Sequence, residues 1–222
     1  MYVTLAIAPA IWYNGLKLHY TIDNHYDFRV FDSAQEMHDL ICEKDMEERR
    51  ARAAALHKSI DEVSGMCRVV AGYCYEWNQD KGGSKGQFRD GKNFDIVLDE
   101  GQYKAKWNLR CDQLPADYSW LNDPLSVREV GCIHTCQGLD LNYCGVIIGK
   151  DLYYKDGMVQ FNKSANAKSD VASGIRTADD DLAKRLIRNT YHVLLTRGIK
   201  GTYVYCEDKA LGDYLKSLIG IK

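Results

Sequence analysis

The sequence predicts an α/β domain built on a mainly parallel β-sheet that is flanked by helices. Two observations carry this prediction. Short apolar runs with strand composition alternate along the chain with amphipathic helical segments, as expected for strands joined by helical crossovers. One of these runs, at residues 143–148, is continuously apolar, which is typical of a parallel strand that is covered on both faces.

Length and composition allow such a domain to have a full core. The 222 residues correspond to one compact domain, and 45% hydrophobic with 27% charged residues is ordinary for a globular protein. Residues 1–25 settle into no single period, so we expect a truncated or atypical amino-terminal segment there. The domain itself is then expected at residues 26–222.

The predicted elements follow in chain order. A strand at residues 28–31 leads to Ser33, which begins a helix because Glu36, three residues later, completes a capping box. We expect that helix to run to about residue 63. Strands are then predicted at 69–73, 94–98, 103–107, 127–134, 143–148 and 202–205, with a β-hairpin insertion at 151–162 that turns at 155–157.

Two more helices complete the prediction. The longest, at residues 179–196, carries an apolar stripe, and a closing helix is expected at 209–218. The stripe consists of Leu182, Leu186, Tyr191, Leu194 and Leu195.

Charge and cysteine content limit the classes of function. The formal net charge is -2, so a nucleic-acid site would have to be a local surface rather than a property of the whole protein. The eight cysteines include no Cys-x-x-Cys pair, so free thiols in a reducing compartment are expected rather than a zinc site. The amino-terminal apolar run is too short to span a bilayer. We therefore expect a cytoplasmic protein without membrane partners.

Two polar segments are candidates for chemistry. Residues 131–141 leave a predicted strand with His134, Thr135 and Gln137 in the following turn, and open α/β sheets bind ligands at the carboxyl ends of their strands. A capped turn would use the same residue types. The second segment places Arg197 at the end of the long helix, where a cation is also favoured by the helix dipole alone.

Taken together, the two segments resemble a known motif pair. HTCQG at residues 134–138 followed by LTRG at 195–198 resembles motifs V and VI of superfamily 1 helicases. The longer runs EVGCIHTCQGLD (129–140), GVIIG (145–149), RNTY (188–191) and LLTRGIKG (194–201) are similar to the Schlafen-like DNA/RNA helicase domain family. The resemblance covers roughly residues 26–220.

The resemblance implies the second RecA-like domain of a P-loop NTPase. Helicases of this kind hold ATP between two such domains, and the second domain supplies an arginine, here Arg197, that stabilises charge on the γ-phosphate and is worth ~10³ or more in rate. The residues implied at the nucleotide are Gln137, Gly138, Asp140 and Arg188, and for Arg188 a surface or structural role is the alternative. His134 and Thr135 are implied at the nucleic-acid backbone.

The implied partners are single-stranded DNA or RNA and an amino-terminal ATPase domain. No Gly-x-x-x-x-Gly-Lys-Ser/Thr occurs in the sequence. We therefore expect ATP and Mg²⁺ to bind only in the complete two-domain protein, and this chain alone to bind no cofactor and no metal.

Three hypotheses remain open. The first is a helicase half, and the second is a non-catalytic nucleic-acid-binding module of the same fold. The third is a metal-dependent nuclease that uses Asp95, Asp99 and Glu100, although only about 30 residues separate these acidic residues from the HTCQG segment. Trp107 and Trp120 could stack on bases, but their apolar context favours the core.

Overall fold

The computed structural model describes residues 26–78, 89–109 and 119–219. The expectations for residues 1–25 and for Cys111, one of the eight cysteines, lie outside these residues. Among the described residues the strands are β1 (Asp27–Phe31), β2 (Cys67–Ala71), β3 (Ile96–Leu98), β4 (Tyr103–Ala105), β5 (Val130–Gly131), β6 (Leu141–Ile148), β7 (Leu152–Lys155), β8 (Met158–Phe161) and β9 (Gly198–Cys206). The α-helices are α1 (Ala34–Leu56), α2 (Asp180–Leu195) and α3 (Lys209–Leu218).

Five strands form a parallel sheet in the order β1-β9-β6-β2-β5, which confirms the predicted fold class. Helix α1 lies on one face, where Met37 and Ile41 pack with Val69. Helices α2 and α3 cover the other face, where Tyr191 and Leu211 share a core with the strands. The arrangement is consistent with a RecA-like domain.

The crossovers create a crevice at the carboxyl ends of β2 and β6. The chain leaves β2 toward β5 through the β3–β4 hairpin, which packs in the same core as α1. It leaves β6 toward β9 through α2, which packs on the opposite face. Because β2 and β6 are neighbours in the sheet, the connections that leave them go to opposite faces and a gap opens between the two strand ends. Open α/β sheets bind ligands at such a point.

Helix α1 begins as predicted and ends earlier than predicted. The side chain of Ser33 accepts a hydrogen bond from the Glu36 amide at 3.2 Å. His57 terminates the helix in the left-handed conformation, with a φ of 53°, and a short 3₁₀ turn at Ile60–Glu62 follows it. The prediction ran past His57 because a non-glycine residue at a helix end in this conformation leaves little trace in sequence.

Two strand predictions were wrong in detail. The region 127–134 begins with the end of a 3₁₀ turn, Pro124–Arg128, and contains only two strand residues, those of β5. Residues 94–107 contain the antiparallel β3–β4 hairpin, which is a sheet of its own, and they meet the main sheet through a parallel bridge between Trp107 and Val130 of β5. The hairpin β7–β8 and the helix α3 lie where the sequence predicted them.

The apolar face of α2 was also partly mispredicted. Leu182 is exposed, whereas Ala183 and Ile187 are buried. The predicted Tyr191, Leu194 and Leu195 are fully buried, so the stripe holds in the second half of the helix and shifts by one residue in the first half.

A buried arginine fixes the segment that leads into β5. Arg68 of β2 is fully buried and donates to Asp45 Oδ1 at 2.8 Å and to Ser126 Oγ at 2.8 Å. It also donates to the carbonyl of Leu121 at 2.9 Å. One guanidinium therefore joins α1, β2 and the 119–129 segment, and it fixes the chain that leads into β5.

Candidate functional site

The carboxyl-edge crevice holds a buried polar cluster. The Tyr191 hydroxyl donates to Asp151 Oδ1 at 2.6 Å and accepts from the Gly149 amide at 3.0 Å. Burial raises the pKa of Asp151, although the hydrogen bond from Tyr191 opposes that effect. The pKa of Cys74 is also raised well above its usual value, first by burial and then by the charge of Asp151. This thiol is therefore a poor nucleophile.

His134 and Thr135 lie in the turn after β5, at the same edge of the sheet. The Thr135 hydroxyl accepts from the Cys132 amide at 2.7 Å and donates to the Cys132 carbonyl at 2.9 Å. Its side chain therefore closes the turn, as a capped turn would require. His134 is exposed and meets the ring of Tyr73 edge-on, with centroids 5.6 Å apart.

Gln137, Gly138 and Asp140 lie along the connection from that turn to the start of β6, and all three are exposed. Gly138 has a φ of 75°, and a side chain there would meet no other atom. Cys136 anchors the connection in the core, where burial raises the pKa of its thiol to about 11 against the lowering effect of the Arg197 charge.

Arg197 joins the end of this connection to the end of α2. Its Nη1 donates to the Leu139 carbonyl at 3.2 Å, and its Nε donates to the Val193 carbonyl at 3.1 Å. Its own carbonyl accepts from the Leu141 amide at 2.9 Å. The bond to Val193 matches the simple role of a cation at a helix carboxyl terminus. The bond to Leu139 links two segments that are 58 residues apart.

The proposed residues therefore fall into two groups rather than one. Gly131 pairs with Val70 of β2, and Val70 pairs with Val146 of β6. Gly131 is therefore level with Val146, which lies five residues beyond Leu141, or about 16 Å along β6. His134 and Thr135 thus lie at the carboxyl edge of the sheet, whereas Asp140 and Arg197 lie at the amino edge.

Arg188 stands apart from the amino-edge group. It lies seven residues before Leu195, the last residue of α2, which corresponds to about 10 Å along the helix axis, and its side chain is half-buried. The structure does not bring it beside Arg197.

Two of the three acidic residues that imitate a metal site, Asp95 and Asp99, have structural roles, and Glu100 is exposed. Asp95 accepts from the amides of Asn78 at 2.7 Å and Trp107 at 2.8 Å. Asp99 Oδ2 accepts from Ser33 Oγ at 2.8 Å and from the Gln35 amide at 3.0 Å. The described residues contain no group of three or more His, Cys, Asp or Glu side chains that could hold a metal ion. This arrangement disfavours the nuclease hypothesis.

The two candidate stacking tryptophans are core residues, since Trp107 and Trp120 are both buried. The cysteines of the described residues are free thiols, and most of them are buried.

A pocket beside His134 was missed by the sequence reasoning. It has a volume of about 190 Å³ and opens at the carboxyl-edge crevice. The loop between β8 and α2 forms one wall, and Asn166 and Asp170 of that loop line the pocket. Nothing in a single sequence marks them, because Asn and Asp between two elements are also ordinary loop residues.

The fold is an α/β domain with a parallel five-stranded sheet, and the residues singled out in the sequence lie at its two edges. Residues 11–208 match the family described as Schlafen group 3, DNA/RNA helicase domain. Because the match covers most of the chain, the protein belongs to this family, which confirms the resemblance noted in the sequence.

A yeast protein is also similar. The uncharacterized protein YPL245W of Saccharomyces cerevisiae is 29% identical over 206 residues, which cover 86% of this chain. The chain spans only 37% of that relative. No solved structure matches the chain significantly. Within the described residues, no helix combines the length and the apolar character that crossing a bilayer requires.

Proposed function

We propose that this chain is the second RecA-like domain of a DNA/RNA helicase-type ATPase. In this proposal it contributes Arg197 to an ATP site whose phosphate loop lies outside these 222 residues, and it contributes His134 and Thr135 to a bound single strand. The observation that supports it most is the hydrogen bond between Arg197 Nη1 and the Leu139 carbonyl. This bond joins the two helicase-like motifs at one edge of the sheet.

Arg197 is suited to a phosphate contact. A guanidinium has five N–H donors, and the two hydrogen bonds described above use two of them. The side chain is half-exposed, so the remaining donors can face a ligand while the first two hold the side chain in place. ATP supplies the transferable phosphoryl group, and Arg197 stabilises the charge that develops on it. Asp140 and the open surface at Gly138 lie beside this position.

The carboxyl edge is suited to a strand that is bound without reading its sequence. His134 is exposed, and Thr135 uses its hydroxyl to hold the turn. Thr135 therefore contributes by positioning the turn, and His134 is the side chain that contacts the nucleic-acid backbone. Contacts of this type fix a strand but do not select bases.

A non-catalytic nucleic-acid-binding module is the second candidate. The observation that favours it is that His134 and its supporting turn are complete within this chain, whereas the sequence has no phosphate loop. The two candidates share the carboxyl edge and differ in whether Arg197 has a catalytic role.

Strand binding tests the shared part. Fluorescence anisotropy with 12-nucleotide DNA and RNA strands should show binding at 50 mM salt that weakens at 200 mM salt. His134→Ala should weaken it, while Lys155→Ala, at the exposed end of β7, and Arg197→Ala, at the opposite edge, should not. Absence of binding at low salt would remove both candidates.

ATP turnover separates the candidates. The 222-residue chain alone should show no magnesium-dependent hydrolysis. In a natural chain that joins this domain to a phosphate-loop domain, Arg197→Ala should lower turnover by ~10³. Arg197→Lys should restore little, because an ammonium cannot reproduce the planar fork. Hydrolysis that survives Arg197→Ala would refute the arginine assignment.

A further inference from the structure

Asn166, which lines the pocket beside His134, carries a buried acceptor that has no donor. Asn166 is 2% exposed, and no hydrogen bond reaches its Oδ1 within the described part of the chain. Its Nδ2 donates to Asp170 Oδ2 at 3.2 Å. Because the opposite amide orientation would place Oδ1 against a carboxylate oxygen, the amide orientation is fixed. A buried acceptor without a partner is destabilising, so this atom favours a ligand that donates a hydrogen bond.

The loop that carries Asn166 is held in place by its own contacts. The Ala167 amide donates to the Tyr73 carbonyl at 2.7 Å. Arg176 Nη1 donates to the carbonyl of Asn166 at 2.7 Å, and Asp170 Oδ1 accepts from the Ser173 amide at 3.2 Å. The unpaired oxygen is therefore part of a built wall and not of a loose segment.

The remaining walls define the shape and charge of the ligand. Ile133, Ile175 and Leu186 supply apolar surface, and Asp151 and Asp170 supply carboxylates. Carboxylates repel phosphate and attract donors. The volume of about 190 Å³ is below the ~300–1,000 Å³ of pockets that take whole ligands. The pocket thus fits one flat ring system that bears a hydrogen-bond donor.

We propose that this pocket receives a nucleobase with an exocyclic amino group, unstacked from a bound single strand. The inference rests on the proposed function, because it takes the strand to pass His134 at the rim of the same pocket. The amino group donates to Asn166 Oδ1, and the ring lies between the apolar walls. Thymine and hypoxanthine are disfavoured, because each has a carbonyl oxygen, an acceptor, where cytosine or adenine carries its amino group.

The test compares two thymidine 12-mers that differ at one central base, adenine in one and hypoxanthine in the other. The adenine strand should bind this 222-residue chain about fivefold tighter or more, since a well-formed base contact discriminates by that order. Asn166→Ala should remove the difference and leave the affinity for the hypoxanthine strand unchanged. Ser164→Ala, an exposed residue of the same loop outside the pocket, is the control and should keep the difference.

A second variant guards against a folding defect in Asn166→Ala. Thr190→Leu enlarges a half-buried pocket residue on α2 with a side chain of higher helix propensity, and it should also remove the adenine preference. Equal binding of both strands by the unaltered protein overturns the base pocket and leaves the proposed function intact. No binding of either strand overturns both. Binding of free adenosine without strand discrimination would assign the pocket to free nucleosides and overturn the inference.

Discussion

Removing one hydroxyl from the crevice should destabilise the domain by about 3 kcal/mol. Tyr191 is fully buried, and its hydroxyl bonds both Asp151 and the Gly149 amide. Tyr191→Phe removes one donor from a buried carboxylate, which costs about 1.5–3 kcal/mol, and the acceptor of a buried amide, which costs about 1 kcal/mol. For a domain of this size, 3 kcal/mol corresponds to a decrease in Tm of roughly 6–12 °C.

The stability lost in Tyr191→Phe should depend on pH. Burial raises the folded-state pKa of Asp151 above its unfolded value, and the Tyr191 hydrogen bond lowers it. The variant therefore has a still higher pKa at Asp151. A raised carboxyl pKa contributes stability that is present at low pH and is lost as pH rises through the folded pKa. The loss caused by Tyr191→Phe should thus be largest near pH 7.5 and shrink as the pH falls toward 5.

Urea unfolding at both pH values measures the effect. The control is Tyr154→Phe, because Tyr154 is half-buried in a ring stack with Tyr214 and should lose less than about 0.5 kcal/mol. A loss below about 1 kcal/mol for Tyr191→Phe, or one that does not vary with pH, would refute the reasoning.

Three further predictions concern the support of the site. Arg68→Met leaves Asp45 as a buried unpaired charge and should cost about 3–5 kcal/mol in urea unfolding, part of which a second change, Asp45→Ala, should restore. Burial lowers the pKa of His38, so the free energy of unfolding should fall as the pH drops below 6.5. The fall should be up to about 1.4 kcal/mol per pH unit steeper than in His38→Gln, and parallel pH profiles of the two proteins would contradict this. Gly131→Ala would place a methyl group 2.6 Å from the Trp120 ring and should cost about 1–3 kcal/mol in the same assay, whereas Gly212→Ala in α3, whose added methyl group would meet Cys206 Cβ at an ordinary contact distance of 3.8 Å, should not disturb the core.

The sequence determined most of the architecture because its strongest signals are local. The continuous apolar run of β6 and the amphipathic α3 both lie where they were predicted. The weak points were set by tertiary contacts. β5 has only two residues because Arg68 and the 3₁₀ turn at Pro124–Arg128 shape the chain before it, and neither contact is visible as a periodic pattern.

The candidate site could be predicted in part for the same reason. The two helicase-like motifs were visible in sequence. The placement of His134 and Thr135 at one edge of the sheet, and of Asp140 and Arg197 at the other, was not, because it depends on which end of β6 each residue lies near. Asn166 could not be predicted at all. Its significance lies in an oxygen that has no partner, which is a property of three-dimensional packing and not of residue type.

The connection that runs from the turn after β5 to the start of β6 has a further consequence. Hydrogen bonds fix both of its ends. Thr135 holds the first end, and Arg197 holds the second end through its bonds with Leu139 and Leu141. This connection consists of turns closed by local hydrogen bonds, so between its fixed ends it tolerates exchange of its exposed side chains but not a change in its length. Deleting or inserting one residue between Thr135 and Leu139 should therefore break the hydrogen bonds at one end of the connection. The β7–β8 hairpin, in contrast, can lengthen at its tip without consequence.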